Sequence, residues 1–427
     1  MSQRKPRILW ANVYCMLDTS SGASMAVREM LRQLVLRGFE VGIVGATVFD
    51  VERGIYRLKE HWDAIKNKKG QFINVNDGPL KHQLLITANT ARDAMTSREE
   101  GLWHGYYVRT LDQFKPDLVF YYGGQALDYL IAQEARSRQI PVAFCLVNGN
   151  YSGSRWCQDV DLIITDSQAT ASMYAQKEGY KIVPVGAFIN PGPVLAQKHS
   201  RKRVLMINPR PEKGAAVVIA LAVLLEKRRP DIVFEVVESR GKWDDLVKMV
   251  TSSLGEARDS LDNVVVTPNT DDMRPIYGRA RMLLAPSLWW ESGGRVSAEA
   301  MMNGIPAIVT DRGGMPEMIQ DGGIKVRFPE ACYQAPYLQI PEQEHLAPMV
   351  DIIIRMYDDP AFYDNYAQRA LKVGRTLHSL QTSTQRLLAA FAPLLQKRAG
   401  DQDFVALQKQ LHKQGLAPAS QASEGPF

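Results

Sequence analysis

Two series of short apolar runs, each interleaved with amphipathic stretches, constrain this chain more than any other feature of its sequence. In the first series, residues 7–11 (RILWA), 41–46 (VGIVGA), 118–122 (LVFYY), 141–147 (PVAFCLV) and 162–165 (LIIT) are apolar runs of strand length. A strand that is apolar on both faces needs cover on both faces, which means a parallel sheet flanked by helices. Helical patterns at 24–37 and at 126–138, the latter after Gly123-Gly124, supply that cover. The pattern then breaks at Asn190-Pro191-Gly192-Pro193, and a polar stretch ends in Lys198-His199-Ser200-Arg201-Lys202-Arg203, which is linker chemistry. A second series follows at 204–207, 233–237, 263–267, 282–285 and 306–310, with helical patterns at 215–227 and 296–302. The expectation is an α/β chain of two doubly wound domains, 1–193 and 201–375. Ligands of such folds sit at the carboxyl ends of the strands, so a cleft faced by both domains is the expected site. Helical patterns at 362–373 and 381–396 lead to a C-terminal helix over 376–399, expected to pack on the first domain. A weaker amphipathic piece at 404–412 lies in a polar tail, 400–427, expected to be partly disordered.

Composition narrows the classes of function. The 427 residues are 45% hydrophobic and 23% charged, which excludes a disordered or fibrous chain. Basic residues number 51 against 46 acidic, too small an excess for a nucleic-acid binder. No apolar run reaches the roughly 20 residues of a membrane span, and the N-terminus does not resemble a secretion signal. Four scattered cysteines form neither a disulfide framework nor a metal-ligand pattern. The expected location is the cytoplasm, and peripheral contact at the inner membrane face is compatible with it. The cluster Arg57, Lys59, Lys66, Lys68 and Lys69 reads first as a solvated loop, with a patch for an anionic lipid or acceptor as the alternative.

The chemistry concentrates at 286–317. A buried run ends near Ser287, a loop carries Glu291 into Gly293-Gly294, and a helix pattern then begins near Val296 with Glu299 in its first turn. Glycines admit a ligand close to the backbone, and the amides at a helix start favour an anion. Two carboxylates beside such an anion site repel it, but they are well suited to accept hydrogen bonds from hydroxyls. A nucleotide sugar carries both kinds of group.

These residues resemble family-4 glycosyltransferases, retaining enzymes of the GT-B fold with two Rossmann-like domains. The likeness rests on two glutamates with seven residues between them, inside Pro-Ser-x(3)-Glu, Gly304-Ile305-Pro306 and Gly313-Gly314-Met315-Pro316-Glu317. Asn208-Pro209-Arg210-Pro211-Glu212-Lys213-Gly214 is similar to the family's diphosphate clamp, and Asp271-Asp272-Met273 through Tyr277 to the segment before its donor loop. Asp161 through Ser167 is similar to the end of its first sheet. The resemblance implies transfer of a sugar from a nucleoside diphosphate, UDP or GDP, to a sugar, a lipid-linked molecule or another small acceptor. No metal and no cofactor are implied. Glu291 and Lys213 are the implied catalytic groups. Glu299, Arg210, Asn208, Gly293, Gly294, Arg295, Val296 and Gly22 are the implied donor contacts.

Several positions depart from the family's pattern. Its clamp arginine lies five residues before the lysine, where this chain has Asn208. Its first-domain histidines have no counterpart. Tyr122 and Asn148 occupy the corresponding strand ends and are the candidate acceptor or sugar contacts, while His104 reads as structural. Asp159-Val160-Asp161 has the form of a metal motif but precedes a strand-like run, so no metal is expected there. The departures leave a second hypothesis, a nucleotide-sugar-binding pseudo-transferase acting as a partner subunit.

Overall fold

The computed structural model describes residues 4–399, which divide into two compact units. One contains the residues up to Thr165, Tyr174–Phe188 and the residues from Gln381 onward; the other contains Asp166–Met173 and Ile189–Leu380.

The first unit is built on an eight-stranded sheet. Its strands are β1 (Arg7–Ala11), β2 (Glu40–Ala46), β3 (Phe72–Asp77), β4 (Leu80–Leu85), β5 (Leu118–Tyr121), β6 (Val142–Leu146), β7 (Leu162–Thr165) and β8 (Ile182–Pro184). Their order is β3-β4-β2-β1-β5-β6-β7-β8, parallel except where β3 runs antiparallel to β4. The hairpin β3–β4, the short β8 and the helix Ser97–Phe114 were not legible as apolar runs. The helix expected at 24–37 spans Gly22–Leu36, capped by Ser21, whose Oγ accepts from Ser24 N at 3.4 Å.

The second unit has a six-stranded, wholly parallel sheet: β9 (Arg203–Ile207), β10 (Val233–Val237), β11 (Val264–Thr267), β12 (Ala280–Ala285), β13 (Ala307–Thr310) and β14 (Gly323–Val326). Its order is β11-β10-β9-β12-β13-β14. The chain builds outward from β9 in one direction, then returns to β9's other side with β12. This reversal matters for function, because the loops leaving β9 and β12 diverge to opposite faces and open a crevice between them. The first sheet has the same switch between β1 and β5.

Behind β9 lies the helix Ala215–Glu226, whose sequence AAVVIALAVLLE is apolar on all sides. A helix of that kind must be buried all round, and nine of its residues are. It packs into a core with Met206, Phe234, Val247 and Met349. The loop carrying Lys213 therefore runs directly into the most deeply buried helix of the unit, which fixes its position. The helices Pro360–Thr376 and Leu380–Ala399 cover the two later helical patterns. The pattern expected at 404–412, and the tail from 400, lie outside the described residues.

Leu221 is fully buried in that helix. Leu221→Ala is expected to lower unfolding stability by about 2–5 kcal/mol through lost burial and an unfilled cavity. Urea denaturation measures it, and a change below about 1 kcal/mol would show that the helix is not the packing centre.

Candidate functional site

The site grows from the two loops at the switch of the second sheet. After β9, Asn208 adopts a left-handed conformation (φ 62°), which asparagine tolerates better than most residues. Its Oδ1 accepts from the backbone N–H groups of Arg240 and Gly241, each at 3.1 Å, so this side chain ties the loop after β9 to the loop after β10. A methyl at Gly241 would lie 2.2 Å from Pro209 O, which makes glycine obligatory there. Arg210, expected at the donor, turns outward and pairs with Glu212 at 2.6 Å. Pro211–Lys213 then form one helical turn ending at Gly214 (φ 78°).

That turn is stitched to the loop after β12. The Glu212 carbonyl accepts from Leu288 N at 2.9 Å and from Ser287 Oγ at 3.1 Å. A methyl at Gly214 would stand 2.1 Å from Pro286 O, so only glycine permits the approach. Locked in this way, Lys213 donates from Nζ to Glu291 Oε1, and the same ammonium lies 5.4 Å from the centre of the Trp289 ring. Glu291 also accepts from Ser287 Oγ at 2.9 Å. Burial pushes the Glu291 carboxyl up, but the Lys213 ammonium and these hydrogen bonds outweigh it and leave the group below the usual carboxylate range. A carboxylate with a depressed pKa loses its charge only as pH falls through that low value, so Glu291 stays ionised throughout neutral and mildly acid solution.

Beyond Glu291 the backbone is shaped by close approaches. Gly314 N donates to Glu291 O at 2.8 Å, and a methyl at Gly313 would lie 2.4 Å from the same oxygen. A methyl at Gly293 would meet Asp166 Cβ at 2.7 Å; Asp166 belongs to this same unit and accepts from Ser292 Oγ at 3.3 Å. Burial pushes the Asp166 carboxyl up to about 6. Gly294 (φ 84°) caps the helix Arg295–Met302, whose first turn carries Val296.

Glu299, on the next turn of that helix, is 6% exposed. Each of its oxygens has one partner: Oε1 receives Arg295 Nε at 2.7 Å and Oε2 receives the Tyr277 hydroxyl at 2.6 Å. Tyr277 is fully buried, so this hydroxyl has been withdrawn from water for the sake of the carboxylate. Arg295 therefore serves Glu299. Sequence reasoning assigned no role to Tyr277, Ser287 or Asp166. The aromatic residue just before β12 was the available signal for Tyr277.

The second unit thus brings together Lys213, Glu291, Ser287, Gly293, Gly294, Arg295, Val296 and Glu299. Gly22, Tyr122 and Asn148 belong to the first unit. A methyl at Gly22 would meet nothing within 4 Å, so its own fold does not demand glycine there. Tyr122 is buried, and its hydroxyl lies 3.2 Å from Ser24 Oγ, joining the end of β5 to the first helix. Asn148 Oδ1 accepts from Asn150 N at 3.0 Å within its own turn. Asp159 and Asp161 both face Arg136, at 3.9 and 3.0 Å. Among the described residues no group of three or more His, Cys, Asp or Glu side chains is arranged to hold a metal ion.

Residues 192–335, which contain this whole site from Lys213 to Glu317, match the family model of the glycosyl transferases group 1. That stretch is therefore similar to a group 1 glycosyltransferase domain. A D-inositol 3-phosphate glycosyltransferase of Arthrobacter sp. (strain FB24) is 31% identical over 157 residues, 35% of this chain and 32% of that protein. Spore coat protein SA of Bacillus subtilis (strain 168) is 25% identical over 128 residues, 29% of this chain and 34% of that protein. The matched stretch therefore spans about a third of each relative. The fold extends much further than the sequence likeness. Sucrose-phosphate synthase from Thermosynechococcus elongatus superposes with a TM-score of 0.65 at 13% identity, covering 92% of this chain and 100% of that one. Anabaena HepE, solved with UDP and glucose, gives 0.64 at 15% identity over 91% and 100%. The architecture is GT-B.

Tyr277→Phe leaves the buried Glu299 with Arg295 alone. A loss of about 1–3 kcal/mol in unfolding stability is expected, since a hydrogen bond to a buried charge is removed without creating a cavity. Denaturant titration decides it, and an unchanged midpoint would mean that the contact does not hold the carboxylate.

Proposed function

We propose that this chain is a retaining, metal-independent glycosyltransferase of family 4. It moves a sugar from a UDP- or GDP-sugar to a sugar, lipid-linked or other small acceptor in glycan or glycoconjugate synthesis in the cytoplasm. The observation that carries the reading is the arrangement around Gly293-Gly294. A fixed ammonium and one carboxylate lie before the glycines, and a second, doubly held carboxylate lies after them. Such a site meets the three parts of a nucleotide sugar in order. Glu299 accepts from the ribose hydroxyls with the lone pairs that Tyr277 and Arg295 leave available. The glycine backbone and Lys213 receive the diphosphate, and Glu291 accepts from a hydroxyl of the transferred sugar.

In the reaction, the bond from the anomeric carbon to the β-phosphate oxygen breaks, and the electron pair leaves with the diphosphate. Lys213 stabilises that growing charge, and the Glu291 carboxylate stands near the positive charge developing on the sugar. The acceptor oxygen bonds to the anomeric carbon on the face the diphosphate leaves, and its proton passes to a phosphate oxygen. Retention and metal independence rest on the family resemblance. The absence of membrane-crossing helices among the described residues is compatible with a cytoplasmic enzyme, with peripheral contact at the membrane as the further possibility.

The purified chain, offered UDP- and GDP-sugars with a panel of acceptors in excess EDTA, is expected to release nucleoside diphosphate and to form an α-linked product from an α-linked donor. Proton NMR of the anomeric signal reads this directly. An inverted product, or activity that returns only with magnesium or manganese, would overturn the corresponding part of the proposal. No turnover together with intact donor binding would favour the pseudo-transferase.

Lys213→Ala is expected to lower kcat about 100-fold or more, because the contact strengthens as the leaving group ionises. An unchanged kcat at saturating donor would remove Lys213 from the chemistry. Glu291→Gln frees the ammonium from its carboxylate, so bare UDP is expected to bind about 3- to 10-fold more tightly while kcat falls. Calorimetry with UDP tests this, and weaker binding would show that Lys213 does not reach the diphosphate.

A further inference from the structure

The segment Asp166–Met173 follows β7 in the chain but belongs to the second compact unit. It opens the helix Gln168–Glu178, and two of its hydroxyl residues, Ser167 and Thr170, are fully buried. The Thr170 hydroxyl donates to Ser292 O at 3.2 Å and accepts from the Trp290 indole N–H at 3.2 Å. Trp290 and Ser292 are the residues on either side of Glu291. One side chain, 120 residues from Trp290 in the chain, thus holds the loop before and after that carboxylate. The Ser167 hydroxyl donates to the same Ser292 carbonyl and accepts from Thr170 N at 3.1 Å. The helix start is itself held by the segment after β13, where Glu317 Oε2 accepts from Ala169 N at 3.1 Å.

A hydroxyl has one proton to give, and Thr170 and Ser167 both give theirs to Ser292 O. That carbonyl is enclosed: a methyl at Gly314 would stand 2.2 Å from it and 2.7 Å from Ser167 Oγ. The Ser292 C=O and the Gly293 N–H belong to one planar peptide, so fixing the oxygen fixes the direction of that N–H. No hydrogen bond among the described residues joins either hydroxyl to Lys213, Glu291 or Glu299. Lys213 and Ser287 hold the Glu291 carboxylate, whereas Thr170 holds the backbone that carries it.

We propose that Thr170 is a positioning residue of the donor loop, whose hydroxyl sets the Glu291 carboxylate and the Gly293 N–H relative to each other. On the glycosyltransferase reading, on which this part rests, these two groups meet the transferred sugar and the diphosphate. A displacement of about 1 Å at such groups is enough to slow a reaction severely.

The test compares Thr170→Val, which removes the hydroxyl and keeps the branched shape, with Thr170→Ser, which keeps the hydroxyl. Assays are run at a temperature where circular dichroism shows each variant fully folded. Thr170→Val is expected to lower kcat about tenfold, with UDP affinity by calorimetry changed less than about threefold, because Lys213 and Glu299 keep their own supports. Thr170→Ser is expected to keep kcat within about threefold of wild type. An unchanged kcat in Thr170→Val, an equal loss in Thr170→Ser, or a loss of UDP affinity as large as the loss of kcat would each overturn the proposal. Fluorine NMR of the chain labelled with 5-fluorotryptophan reads the loop without turnover. The Trp290 resonance, assigned by its loss in Trp290→Phe, is expected to move in Thr170→Val and to stay in place in Thr170→Ser. If the wild-type chain transfers no sugar, the glycosyltransferase reading falls, and this resonance decides the hold on the loop: an unmoved signal in Thr170→Val refutes it. Should Thr170→Val fail to fold, Trp290→Phe removes the other end of the same relay and is expected to lower kcat in the same direction; an unchanged kcat there overturns the proposal.

Discussion

The site depends on one carbonyl. Glu212 O accepts from Leu288 N and Ser287 Oγ, and so joins the loop after β9 to the loop after β12 across the switch point of the sheet. The sheet order alone would let these loops diverge. The shared carbonyl, and a glycine at 214 against Pro286 O, hold them together instead. Lys213 is the next residue after that carbonyl, and its position is anchored behind by the buried helix Ala215–Glu226. Its ammonium has little freedom except toward Glu291. Ser287 serves twice, donating to the Glu212 carbonyl and to the Glu291 carboxylate. A single hydroxyl has one proton, so the two contacts compete, and a ligand that draws Glu291 away would leave Ser287 wholly to the carbonyl.

The two glutamates, similar in sequence, are held by different physics. Glu291 is charged because an ammonium and a hydroxyl outweigh its burial. Glu299 is held from two sides, by a guanidinium on its own helix and by a tyrosine that precedes β12. The first arrangement can be exchanged for a ligand, because its lysine is partly exposed. The second is a fixed frame, since a fully buried tyrosine has nowhere else to place its hydroxyl. A frame of that kind suits a part of the ligand that does not change during reaction, and an exchangeable pair suits the part that does.

How much of this was legible in the sequence depends on what each residue is used for. Five strands of each sheet were visible because parallel strands are apolar on both faces, as in VLMI at 204–207 and LIIT at 162–165, whereas the short β8 and β14 were not. The hairpin β3–β4 was not, because FINVND and LKHQLL alternate polar and apolar residues; the Asp77-Gly78 turn signal was the available clue. The glycines and acids near 291–299 were legible because close backbone approaches leave a record in residue type. Asn208 and Arg210 were harder, since a polar residue near a site serves a ligand or the backbone equally well. Asn208 Oδ1 serves two backbone amides, and Arg210 pairs with its neighbour Glu212. Tyr277 could not be assigned from the sequence, because a buried tyrosine looks like core until its hydroxyl partner is known.

On the proposed function, the pairing of Lys213 with Glu291 bears on catalysis as well as on geometry. An ammonium already matched to a carboxylate gains little by exchanging it for an unreacted diphosphate, since both are anions of comparable reach. The gain grows as the glycosidic bond lengthens and charge accumulates on the leaving oxygen. Over the same interval the sugar becomes positive, and the released carboxylate acquires its own partner. In the proposed reaction the pair would weaken ground-state binding while leaving the transition state its full stabilisation, which is the condition for raising kcat rather than merely tightening the complex. A site with an unpaired lysine would bind nucleotide more tightly and release it more slowly. In that reaction the internal ion pair would act against product retention as well as preserve the position of both groups between turnovers.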